Sequence, residues 1–121
     1  MKNKQQIPTD INSTFVNVTL SAKPIDGKYP LYDLKQASKG WWVMTEETAS
    51  KIKWVFPVRR NKVLGVFEVE GYECAPDITT GNNRVNFRLK NIYEGSTAMI
   101  NEAIEEINST HFVTKYFKIN I

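Results

Sequence analysis

The chain predicts an α+β fold: a small mixed β-sheet curled into a pseudobarrel, with two or three short helices. Three observations predict it. Short runs rich in β-branched and aromatic residues, alternating with period two, recur about six times along the chain. Other segments carry the 3.6-residue period or the capping residues of helices. Six short strands, finally, bury their apolar faces most economically when a sheet closes or nearly closes on itself.

The elements follow in order. Residues 1–13 are polar, contain Pro8, and read as a flexible tail before a single domain spanning 14–121. Thr14 to Leu20 (TFVNVTL) is β-rich and predicts a strand. Ser21 to Pro30 holds two prolines and an Asp-Gly pair, which mark a turn-rich loop. Leu31 to Ser38 places Leu31, Leu34 and Ala37 or Ser38 at helical spacing, and Gly40 stops that helix. Trp41 to Met44 reads as a strand. Thr45 supplies a cap oxygen for a helix over Glu46 to Lys51, with Glu46 and Glu47 where the helix dipole favours acids.

Trp54 to Arg59 and Val63 to Val69 predict a hairpin around Arg60-Asn61-Lys62. Pro57 cannot donate to a ladder, so its strand lies at an edge or is bulged there. Glu70 to Asn83, with Gly71, Pro76 and Gly81, reads as a long polar connection containing Cys74. Arg84 to Leu89 alternates cleanly as a strand. Ser96 or Thr97 caps a helix to Asn108, with Met99, Ile100, Ala103, Ile104 and Ile107 on one stripe and Glu102, Glu105 and Glu106 outward. A terminal strand alternates Phe117, Ile119 and Ile121 with polar neighbours.

Composition narrows the chemistry. One cysteine and one histidine exclude an intramolecular disulfide and any cysteine- or histidine-rich metal site, so neither metal nor cofactor is expected. No glycine-rich phosphate loop, nucleophile elbow or H-E-x-x-H occurs, which points away from an enzyme. His111 reads as structural or exposed at a helix-to-strand junction. The polar N-terminus lacks the apolar core of a secretory signal, so a cytoplasmic location is expected. Abundant Asn and Lys are compatible with an AT-rich source such as a low-GC bacterium or a phage.

The net charge of +3 is unevenly spread. Residues 1–62 carry eleven Lys/Arg against five Asp/Glu, while 63–121 carry five against eight. The excess peaks in Lys51, Lys53, Arg59, Arg60 and Lys62, a run without an acid. A local basic patch suits a polyanion, and an exposed indole beside it suits a stacked base. Trp41, Trp42 and Trp54 are the stacking candidates. Arg84 and Arg88, on the polar face of their strand, join the phosphate-contact candidates. Adjacent strand residues face opposite ways, so one of Trp41 and Trp42 is expected outside. The competing expectation is that the indoles fill a small core.

From Gly40 to Val69 the order W-x-V-x-x-E-x-x-A-x-x-I, then V-x-x-V, then G-V-F-x-V, followed by Arg84-Val85-Asn86-Phe87, resembles PUA-like domains. That superfamily includes the EVE, ASCH and YTH groups, and the likeness covers residues 40–90. It implies a β-pseudobarrel that binds RNA, or a modified or flipped-out nucleobase, in an aromatic cleft matched here by Trp41, Trp42 and Trp54. The G-x-K-x-x-E-x-R signature of ASCH domains is missing, so no hydrolase chemistry is implied. The alternative function is a protein-interaction module, such as a phage or mobile-element inhibitor of a nucleic-acid-processing enzyme. It would dock through its terminal strand and the acidic face of the last helix.

Overall fold

The computed structural model describes residues 10–21, 23–91, 96–109 and 115–120. Its elements are β1 (Ser13–Asn17), α1 (Leu31–Ser38), β2 (Gly40–Val43), α2 (Glu46–Ala49), β3 (Trp54–Arg59), β4 (Lys62–Val63), β5 (Phe67–Pro76), β6 (Asn83–Lys90), α3 (Ser96–Ser109) and β7 (Tyr116–Phe117). The strands form one mixed sheet in the order β2-β6-β5-β3-β1-β7, with β4 paired to β3 off that path. This is the expected α+β class. No helix is long and apolar enough to cross a membrane among the described residues.

Burial explains why β1 and β3 lie side by side. Their pairing is parallel, with Thr14 opposite Val55 and Val16 opposite Pro57. Parallel strands are covered on both faces and read as continuous apolar runs, as Trp54 to Val58 does. Ser13, Thr14, Val16, Val55, Phe56 and Val58 are all at most 2% exposed. Alternate side chains then feed two cores. On one face Val16, Val55, Phe67, Val85 and Phe87 pack with Leu34 of α1 and Ala49 of α2. On the other, Phe15, Phe56, Val58 and Phe117 pack against Met99 and Ala103 of α3. Phe15 and Phe117 stack at 4.3 Å between centroids, and Phe56 meets Phe117 at 5.4 Å. Each buried phenyl stabilises by roughly 1.5–3 kcal/mol, so these rings anchor the second core.

The two ends of the strand order approach one another, so the sheet curls. Trp42 on β2 packs on the same core as Val16 on β1, although β6, β5 and β3 lie between those strands. At about 4.8 Å per strand, a flat sheet would hold β1 and β2 about 19 Å apart. The sheet is nevertheless not closed, because no backbone ladder joins β2 to β1 or β7 among the described residues.

Several boundaries differ from expectation. Residues 10–13 are not tail. Ile11 is buried and Ser13 opens β1, while the Asn12 carbonyl accepts both the Lys53 and Trp54 amides. The Asn12 carboxamide also takes both backbone groups of Ile119, at 2.9 and 3.0 Å, where the expected terminal strand gives way after Phe117. The supposed connection from Glu70 is mostly strand, since β5 runs to Pro76 and Cys74 pairs with Val85 on β6. Gly71 and Pro76 signal breaks, yet Gly71 sits at a register shift with the Arg88 side chain where a Cβ would be. Pro76 merely ends the ladder.

Nor is Val63 to Val69 one strand. β4 pairs with the end of β3, β5 with its start, and Leu64–Val66 span the interval. That gap falls at Pro57, whose carbonyl accepts the Leu64 amide. β3 is thus central, and the ladder breaks where the proline lacks a donor. The first strand ends at Asn17, though Val18 still donates to Val58. Shorter still is α2, which stops at Ala49 with the Thr45 hydroxyl capping the Thr48 amide at 3.1 Å. Leu31, expected on the buried stripe of α1, is exposed.

Candidate nucleic-acid interface

The three indoles do not share a cleft. Trp41 and Val43 point outward from β2, each 43% exposed. Trp42 turns inward. Its Nε1 donates to the Ser38 carbonyl at 2.9 Å, and its ring lies where Gly40 would carry a Cβ. Gly40 has φ +93, a conformation glycine adopts at no steric cost, so this one residue ends α1 and seats the indole. Trp54 is half-buried at the start of β3 and packs against the second core.

β3 also divides the basic run. Lys51 and Lys53 are exposed beside its first residue, whereas Arg59, Arg60 and Lys62 stand at the other end, about 20 Å away at 3.3 Å per residue. At that far end Arg60 and Asn61 have φ of 53° and 62°, the pattern of a two-residue turn joining the Arg59–Lys62 pair. Asn tolerates this conformation well; Arg60 adopts it because the turn leaves no alternative. Arg59 is engaged, donating to the Leu20 carbonyl at 3.3 Å with its guanidinium 6.0 Å from the Tyr29 ring centroid. Arg60 and Lys62 are exposed.

The two arginines of β6 are elsewhere. Arg84 is bound to Asp77 at 2.7 Å and donates to the Trp41 carbonyl at 3.1 Å. That guanidinium, with the Thr79 and Thr80 amides, holds the Asp77 carboxyl below its usual range. Arg84 therefore fastens the β5–β6 turn to β2. Arg88 is exposed and lies over Gly71.

A hollow of about 370 Å³ opens where the curled sheet fails to close. Trp42 of β2, Asn17 at the end of β1, Asn61 of the basic turn and Lys115 before β7 meet there, over Phe15 and Val58. No carboxylate lines it among the described residues. Lys115 is half-buried, and desolvation lowers its pKa from the ordinary value for lysine. Its Nζ donates to the Val43 carbonyl at 3.4 Å, across the open seam, and lies 5.7 Å from the Tyr116 ring centroid. The hollow thus offers an indole, two carboxamides that can both donate and accept, and an ammonium with no carboxylate lining the hollow beside it among the described residues.

Of the candidates read from sequence, only Trp42 lines this hollow, with Arg60 and Lys62 flanking its Asn61. Asn17 and Lys115 had no local signal, since each acquires its place through strand pairing. His111 lies outside the described residues. Among those residues no group of His, Cys, Asp and Glu is suited to hold a metal ion. The acidic face of α3 is partly engaged, for Glu102 accepts the Asn120 amide at 3.0 Å. Compared with protein-family models, curated proteins and solved structures, the chain matches none.

Proposed function

We propose that this protein is a non-catalytic binding module for RNA or for a modified or flipped-out nucleobase. One observation carries the reading: Trp42, Asn17, Asn61 and Lys115 line one hollow of about 370 Å³ beside the basic turn, with no carboxylate among its described lining residues. That volume lies in the range of small-molecule sites, suiting a base or nucleoside rather than a duplex. A base stacks on the Trp42 indole, whose orientation the Ser38 carbonyl fixes. The Asn17 and Asn61 carboxamides pair with its edge, as single-stranded bases are read. Lys115 holds the adjoining phosphate from within, and Arg60 and Lys62 hold the chain outside. The PUA-like pseudobarrel belongs to the same reading. Its support is the curl of the sheet and the Lys115–Val43 hydrogen bond across the seam.

Fluorescence anisotropy with labelled single-stranded RNA, single-stranded DNA and duplex DNA tests this directly. With Arg60, Lys62 and Lys115 on phosphates, log affinity falls with a slope of about −2 against log salt, or about twentyfold between 50 and 200 mM. Single strands bind in preference to duplex, and binding quenches tryptophan emission in the wild type but not in Trp42→Phe. Salt-independent binding, or quenching that survives Trp42→Phe, overturns the assignment.

A further inference from the structure

A second depression lies on the other side of Asn61. It is a groove of about 840 Å³ between α3, α1 and the chain from Asn61 to Phe67. Leu31, Leu34, Val66, Ile100, Ile104 and Ile107 supply its aliphatic walls. Leu31 is 53% exposed and Ile104 38%, although the helical period puts Ile104 on the apolar stripe of α3. Met99 and Ala103 are buried against the sheet, Ile100 and Ile107 pack partly on that same core, and all three isoleucines, with Ile104 the most exposed, border a groove that no described residue fills. Exposed aliphatic surface with a polar rim marks an interaction site.

The rim carries a sign. Lys28 and Lys62 line the groove and no Asp or Glu does among the described residues. Both lysines belong to one end, because Arg59 over the Tyr29 ring joins the turn carrying Lys28 to the hairpin carrying Lys62. We infer that this groove docks an amphipathic helix of a partner protein, with aliphatic residues at i, i+4 and i+7 and Asp or Glu at the end that meets Lys28 and Lys62. Ile100 to Ile107 rises about 10 Å along α3, matching two turns of a partner helix. Residues 1–9 of this chain are a poor occupant on charge, since they carry Lys2 and Lys4 and no acid. The aliphatic walls and Lys28 play no part in the nucleic-acid reading, although Lys62 serves both readings and Asn61 and Ile107 border both depressions.

The test uses the full chain and a fluorescein-labelled synthetic helical peptide with that aliphatic stripe and flanking Glu, beside its counterpart with every Glu replaced by Lys. The acidic peptide should bind at least tenfold tighter than the basic one. Ile104→Glu should abolish its binding while circular dichroism and RNA affinity stay unchanged, and Lys28→Glu should narrow the gap between the two peptides. Equal binding of both peptides, or an Ile104→Glu protein that binds the acidic peptide normally, overturns the inference. So does a groove that takes palmitate, read by displacement of anilinonaphthalene sulfonate, and neither peptide. Loss of RNA binding alone would fall on the nucleic-acid reading and leave the groove standing.

Discussion

The two ends of β3 carry similar residues and have different surroundings. At its start stand Lys51, Lys53 and Trp54; at its end, Arg59, Arg60 and Lys62. The start is tied down, with the Lys53 and Trp54 amides on the Asn12 carbonyl and the Trp54 ring against the α3 core. The end turns outward through Arg60 and Asn61 and adjoins a hollow that an indole and a lysine from distant strands complete. On the proposed reading, basic residues beside a tryptophan are not enough to make a site. A ring must remain available on a concave surface, and the charges beside it must lack acids.

Exchanging the tryptophans breaks that comparison most sharply. Trp42→Phe, which preserves much of the packing, should weaken RNA binding about tenfold, the low end of what a stacked base contributes. Trp54→Ala should instead destabilise the fold by about 3 kcal/mol, the scale of a truncated core aromatic, and leave the affinity of the folded protein within twofold. Urea melts and anisotropy separate the two effects. Next come the charges. Replacing Arg60 and Lys62 by Ala should lower affinity about tenfold at 50 mM salt and flatten the salt slope by about 1.4, two phosphate contacts' worth. The same change at Lys51 and Lys53 should do neither.

A pH series sharpens the contrast further. Burial lowers the Lys115 pKa below the ordinary 10.5, so its ammonium is lost at a lower pH than that ordinary value implies. RNA affinity should fall as pH rises through that lowered value, and Lys115→Arg should move the decline to higher pH. Stability should respond with the opposite sign. Between the two values the unfolded chain binds the extra proton, so raising the pH across that window favours the folded state until 10.5 is passed. The smallest effect is expected at Trp41, which is exposed on the outer face of β2. Trp41→Ala should change neither the melting temperature nor RNA affinity measurably.

Local signals in the sequence located what local chemistry decides. The helix from Leu31 to Ser38, the Thr45 cap and the turn at Arg60-Asn61 depend on neighbours within a few residues, and each is legible. So is the α+β class. Legibility ended where partners are distant. Gly71 and Pro76 read as breaks because the β6 strand that accommodates them is invisible from their own surroundings. The clustering of Lys51 to Lys62 is real along the chain and dissolves once an extended strand separates its members. Choosing between Trp41 and Trp42 needed the Ser38 carbonyl and Gly40, and completing the hollow needed Asn17 and Lys115, which arrive through the parallel β1–β3 pair and the curl of the sheet.

The position of β1 bears on how the protein is made. This first strand has as neighbours β3, some forty residues later, and β7, about a hundred residues later. At about 5–20 residues per second, roughly 5–20 s of synthesis separate β1 from its last partner. Until then Phe15 lacks the ring it stacks on, and Asn12 has no Ile119 to bind. Limited proteolysis of ribosome-stalled chains should find β1 protected only after Ile119 has emerged. A nascent chain in this state presents an apolar strand with one side unpaired, and the cell's chaperones are its natural company until translation finishes.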